Sequence, residues 1–176
     1  MTDYPLGALF NLRLTFRPSA VLGALGLWAT FSLGAATLLN FPLTQALVFG
    51  LLAMLAHWLS EFWHQLGHAW AARRVGHPMI GVQFWGVLSR SLYPPAEPAL
   101  PARIHIQRAL GGPLASALLT AITGAIAYTL WPAQGLLDWL AAFTFVENLL
   151  VFTLQVILPL GFNDGTTIWR IILGHR

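Results

Sequence analysis

At 176 residues the chain is short enough for one domain, and its 57% hydrophobic content against 9% charged residues, with a mean hydropathy of +0.68, excludes an ordinary soluble protein. The net charge of +3 comes from nine Arg spread along the chain without a polybasic run, which excludes a nucleic-acid partner. There is no cysteine. Disulfides and thiolate metal sites are therefore excluded, leaving His and carboxylates as ligands.

In chain order, residues 1 to 18 are mixed and polar, punctuated by Pro5 and Pro18, and predict an amphipathic or irregular lead-in on the membrane surface. Ser19 to Asn40 is a first apolar span. Arg13 and Arg17 precede it as in a signal peptide, but no small-residue cleavage site follows, so it reads as a retained span. After a Phe41-Pro42 turn, Leu43 to Arg74 predicts one long second helix. At ~1.5 Å per residue it exceeds a ~30 Å hydrocarbon core, so its Arg73-Arg74 end emerges into the headgroups. Residues 76 to 105 combine β-branched and aromatic residues with glycines, then Pro94, Pro95, Pro98 and Pro101, which predicts a strand or hairpin followed by irregular loop. Gln107 to Trp131 is the third span, Pro132 to Gly135 a turn, and Leu136 to Leu158 the fourth span with Glu147-Asn148 near its middle. A Pro159-to-Gly165 segment and a short terminal helix to Arg176 complete the chain. Trp131, Trp139 and Trp169 are placed as interfacial anchors, and Trp58, Trp63 and Trp70 as packing residues. The fold expected is an all-α polytopic membrane protein with about four transmembrane helices and a small β-hairpin or re-entrant segment between helices two and three.

Charge orients these spans. Arg13 and Arg17 lie before span one, Arg73, Arg74, Arg90, Arg103 and Arg108 between spans two and three, and Arg170 and Arg176 after span four. With four spans all three regions share one side, which the positive-inside rule makes the cytoplasm, so both termini are expected there. The ends of helices two and four then lie at the same depth.

Ionisable residues concentrate in the second half of helix two. His64 and His68 are one turn apart, close enough for both imidazoles to reach one metal ion, and His57 and Glu61 extend the same stripe. A charged side chain at the centre of a membrane helix costs roughly 2.5–3.5 kcal/mol, so such a cluster needs partners or a function. For either histidine alone, a hydrogen-bonded interior residue is a sufficient account.

The run His64-Gln65-Leu66-Gly67-His68, followed by Ala71-Ala72-Arg73-Arg74, resembles the HExxH signature helix of the site-2 proteases, which are intramembrane zinc metalloproteases. Asp164-Gly165, after Pro159, is similar to the Asp-Gly element that supplies that family's third ligand. The resemblance covers roughly residues 45 to 170 in the family's order and treats residues 1–176 as a single intramembrane metalloprotease core domain, with no inserted PDZ-like or appended CBS-like domain. It implies Zn2+ held by His64, His68 and Asp164, in a multi-pass protein of a prokaryotic inner membrane. The partners implied are the lipid bilayer and a transmembrane helix of a protein substrate, cut in regulated intramembrane proteolysis. The 76 to 105 segment would take substrate as an added strand.

The chain departs from the family in places. Gln65 stands where the general-base Glu belongs, so the chain as written is expected to be an inactive form, engineered or a natural pseudoprotease. Val156 stands where an Asn commonly holds the substrate carbonyl, a role open to Gln155 or Asn148; Ser116 stands for another Asn, in a small-Gly-Pro element whose small residues alone explain close helix packing. Glu61 and His57 are expected to support the ligands from behind, with Glu61 also available as a base. Glu147 reads as a buried partner for a His or Arg, or as a gating residue. The alternative from another class is a metal-binding or transport protein in which His57, Glu61, His64, His68 and Asp164 form an ion pathway.

Overall fold

A computed structural model describes residues 3–130 and 135–174. The turn expected at 132–135 lies mostly outside these residues, as do Trp131 and Arg176. Four helices are long and apolar enough to cross a membrane: α1 (Pro18–Leu38), α2 (Leu43–Arg74), α3 (Ala102–Leu130) and a fourth over Leu136–Ile157. The fourth is composite, with α4 (Leu136–Glu147) continuing into a π-helical turn (Asn148–Thr153) and a 3₁₀ turn (Leu154–Ile157). A short α5 (Asp164–Ile172) follows. The chain is a multi-pass, mostly helical membrane protein.

The helices pack through small residues, as expected where lipid removes the hydrophobic drive between apolar surfaces. Gly67 of α2 faces Gly111 of α3, and a Cβ on either would collide with the other's carbonyl. Gly50 packs as tightly on Ser32 of α1, where a Cβ would collide with the serine's hydroxyl and backbone nitrogen. Away from the histidines, Ala35, Ala46, Phe49 and Ala53 form a core with Phe31 and Phe143 around them, the latter two rings 4.8 Å apart edge-on. Large apolar side chains such as Leu22, Leu33 and Leu118 point outward, which is the ordinary lipid-facing arrangement.

The lead-in expected at residues 1 to 18 is instead a hairpin of β1 (Tyr4–Leu9) and β2 (Leu12–Phe16). Phe10 and Asn11 at its tip both have positive φ, 52° and 63°, the backbone of a type I′ turn that suits the twist of paired strands. The hairpin expected near residue 80 is present as β3 (Gly81–Trp85) and β4 (Leu88–Leu92). The two hairpins join, β2 running parallel to β3, into one sheet of order β1-β2-β3-β4. Leu12 and Val82 of this sheet pack with Ala69, Ala72 and Met79 against the last turns of α2. The sheet is thus fixed beside the histidines, with β1 and β4 as its two edge strands. α3 starts at Ala102 rather than Gln107, because the Pro101 carbonyl already accepts from the Ile104 N–H at 2.9 Å.

Candidate metal centre

Within α2, His57, Glu61, His64, Gln65 and His68 are all buried. The Nε2 atoms of His64 and His68 lie 3.0 Å apart. Asp164, on the first turn of α5, completes a triangle: its Oδ2 is 3.1 Å from His64 Nε2 and its Oδ1 3.3 Å from His68 Nε2. Local sequence puts it there. Asn163 caps α5, accepting from the Thr166 N–H at 3.1 Å, while its Nδ2 donates to the carbonyls of Gln155 and Leu158 and pins α5 to the end of the fourth span. Gly165 sits so tightly on the carbonyls of Leu158, Gln155 and Val156 that any Cβ would collide, which is a physical reason for Gly after Asp164.

Hydrogen bonds behind the rings decide what the Nε2 atoms present. His68 Nδ1 is 2.8 Å from the carbonyl of Arg108, so it carries the proton and donates. The Gly112 N–H, 3.3 Å from the same nitrogen, is the weaker contact. His68 Nε2 is therefore left with a lone pair. His64 Nδ1 lies 3.0 Å from Ser116 Oγ, a hydroxyl that can accept from it in the same tautomer. With both Nδ1 atoms protonated, three acceptor atoms converge with no donor among them, a set that a cation satisfies.

The set fits a tetrahedral metal. Bonds of ~2.0–2.1 Å at the tetrahedral angle separate ligand atoms by roughly 3.3 Å; here the two Nε2 atoms are 3.0 Å apart, and each lies within 3.3 Å of one Asp164 oxygen, His64 of Oδ2 and His68 of Oδ1. His64, His68 and Asp164 are the group among the described residues whose ligand atoms gather within 4.8 Å. Gly112 makes the room, since a Cβ there would lie on both Nε2 atoms. A cavity of about 570 Å³ opens on one side of the triad. It lies between β4, with Ser89 and Ser91, and the apolar end of the fourth span, with Leu150, Val151 and Phe152.

The other residues singled out in the sequence divide. Gln65 faces the cavity, and its Oε1 accepts from Ser91 Oγ at 2.8 Å. Gln155 also lines the cavity and donates from Nε2 to Asp164 Oδ2 at 3.4 Å. Asn148 does not reach it: fully buried, it donates to Ser60 Oγ and to the Thr144 carbonyl. Glu61 lies in the cavity wall but accepts from the Ser89 N–H, not from a ligand imidazole. His57 pairs with Glu147, Nδ1 to Oε1 at 2.7 Å, and donates from Nε2 to the Val87 carbonyl at 2.8 Å. Both of its nitrogens are committed away from the triad, so the stripe from 57 to 68 is not a continuous path of free ligands. Sequence reasoning missed the support given by Ser116, by the Arg108 carbonyl and by the two serines of β4. Only Ser116 carried a local signal, one turn after Gly112.

No protein-family model and no curated protein matches the chain. Among solved structures it is similar to the site-2 protease from Methanocaldococcus jannaschii, with a TM-score of 0.65 over 99% of this chain and 73% of that one, at 15% sequence identity. The chain has the site-2 protease fold. At this identity the likeness speaks for architecture alone.

Proposed function

We propose that the chain is the core of a zinc-dependent intramembrane endopeptidase that acts on transmembrane segments of partner proteins, held inactive here by Gln65. The observation that carries this reading is the convergence of three acceptor atoms from His64, His68 and Asp164 beside an apolar cavity. When bound, zinc would supply Lewis-acid activation for amide hydrolysis at that point. The chain's own residues do the rest. Ser116 and the Arg108 carbonyl hold the two imidazoles in the tautomer that points Nε2 inward. β4 offers the part of its outer edge at Ser91 to an unwound substrate segment, and Leu150, Val151 and Leu158 accept its apolar side chains. Gln155 Nε2, which reaches Asp164 Oδ2, supplies an amide donor in the cavity wall. The residue at 65 faces the same space, where a carboxylate would take a proton from water and pass it to the leaving nitrogen as the C–N bond breaks. A carboxamide cannot. The testing experiment is metal analysis of the purified chain together with cleavage of a transmembrane substrate by Gln65→Glu, whose expected outcomes are argued below.

The Gly112 cradle gives a second check. Gly112→Ala would push α3 off the two imidazoles and is expected to weaken zinc binding by about 10–100-fold, the range found when groups supporting metal ligands are disturbed. Competition with a chromophoric chelator measures it. Unchanged affinity would mean that α3 does not shape the site.

We also place both termini and the sheet in the cytoplasm, from the one-sided distribution of Arg. Cysteines introduced at Ala96 and at Asn40 should react with a membrane-impermeant thiol reagent from opposite sides of sealed vesicles. Reaction of both from one side would overturn the orientation.

A further inference from the structure

Three side chains of α2, each one turn after the last, meet three residues of the β3–β4 hairpin, each two positions after the last. His57 Nε2 donates to the Val87 carbonyl, Glu61 accepts from the Ser89 N–H, and Gln65 accepts from Ser91 Oγ. The match is geometric: four helical residues advance about 6.0 Å and two strand residues about 6.6 Å. One face of α2 therefore runs along β4 as an irregular fifth strand.

The backbone alternation shows which edge it covers. Phe84, opposite Ser89, directs its carbonyl to the Arg17 N–H of the β2 side, so the Phe84–Ser89 pair exchanges no hydrogen bonds. Leu92 instead directs its carbonyl into the sheet, to the Ile80 N–H at 2.8 Å. Ser89 and Ser91 thus turn their backbone groups outward, to the free edge. The first two rungs consume that edge, since His57 takes the carbonyl of Val87 and Glu61 the N–H of Ser89. The third does not. Gln65 is met by the Ser91 side chain, leaving the Ser91 N–H and C=O to pair with something else, beside Asp164 and His68 in a second cavity of about 380 Å³.

We propose that Glu61, backed by His57, is the stop that sets how far an extended substrate segment reaches along β4, so that pairing begins at Ser91 next to the metal centre. The proposal rests on the reading above that substrate adds to β4 as a strand. His57 is itself fixed by its 2.7 Å contact with Glu147 of α4, and Glu61 is buried, so the stop is rigid. Slippage of a strand by two residues keeps every side chain on its own face. Side-chain pattern alone would therefore not prevent a substrate from sliding inward by two, and a carboxylate on the Ser89 N–H does. Glu61 acts here as a positioning residue.

The chain's lack of cysteine allows the register to be read directly. Arg90→Cys, exposed on β4, is combined with a set of single-span peptides of about 20 apolar residues, each with a central Gly-Pro pair and one cysteine at successive positions. Disulfide formation in bilayers reports which peptide residue lies opposite position 90, since paired strands bring Cβ atoms to bonding distance. One peptide position is expected to cross-link, and the same one with Glu61→Gln, which keeps an acceptor for the Ser89 N–H. With Glu61→Leu a second position, two residues away, is expected to appear at comparable yield. A single unshifted cross-link in both Glu61 variants would overturn the stop while leaving strand addition standing. Absence of any cross-link, in protein that still binds zinc, would overturn strand addition and the stop with it.

Discussion

Asp164→Ala is expected to leave the chain folded but to weaken zinc binding by more than about 100-fold, beyond the 10–100-fold that follows from disturbing outer supports. The two imidazoles would remain 3.0 Å apart with lone pairs facing one another and only two protein ligands to offer, fewer than the three a catalytic zinc uses. The fold should survive because α5 is anchored by Asn163 and Thr166, not by Asp164. Asn163 caps the helix and ties it to the carbonyls of Gln155 and Leu158, contacts that the substitution leaves in place. His64→Ala should behave alike. Metal analysis of the purified variants, with circular dichroism as a check of folding, measures both. Full zinc content in Asp164→Ala would remove Asp164 from the ligand set and with it the observation on which the proposed function stands.

What could be read from the sequence was what local spacing encodes. His64 and His68 share a face because a helix returns every 3.6 residues, whereas Asp164-Gly165 stood out only through its resemblance to a family element, and the packing that requires Gly there is visible only in the fold. Four apolar spans were equally legible, since a bilayer demands length and little else. The partners of the buried polar residues were not. Glu61 and the Ser89 N–H, or His57 and Glu147, meet only because the hairpin and α4 are folded against α2, and nothing in the local pattern of either partner names the other.

Two features of the fold that local spacing did not carry have specific causes. The N-terminal strands did alternate, Leu12, Leu14 and Phe16 facing one way against Arg13 and Thr15, but a five-residue strand beside Pro18 and the first span carries little signal without its partners. One of its two partners, β3, is reached in parallel only after two spanning helices. Asn148 and Gln155, offered for the same role, are seven residues apart and would share a face of one regular helix. The π turn at Asn148–Thr153 and the 3₁₀ turn at Leu154–Ile157 change the helical phase twice, which turns Gln155 toward Asp164 and leaves Asn148 facing Ser60.

Gln65→Glu is expected to turn an inert protein into a protease. Gln and Glu have the same shape, and the Ser91 hydroxyl that donates to Gln65 Oε1 at 2.8 Å can donate equally to a carboxylate, so the side chain should stay where it is. Neither ligand histidine bonds to residue 65, so zinc content should be the same in both forms. The difference lies in proton transfer, since a carboxamide does not accept a proton at neutral pH. A positioned general base contributes about 10²–10⁴ in rate, and the Glu form should exceed the Gln form by at least that factor on a reconstituted transmembrane substrate. A zinc chelator should abolish its activity. The Gln form should bind the same substrate and leave it uncut, which can be followed by co-purification and gel shift. If the Gln form already cuts at the rate of the Glu form, the base is elsewhere, and Glu61 would have to leave the Ser89 N–H to serve. If the Glu form holds zinc and cuts no transmembrane substrate, the protease reading fails, and metal transport by reconstituted vesicles becomes the measurement to make.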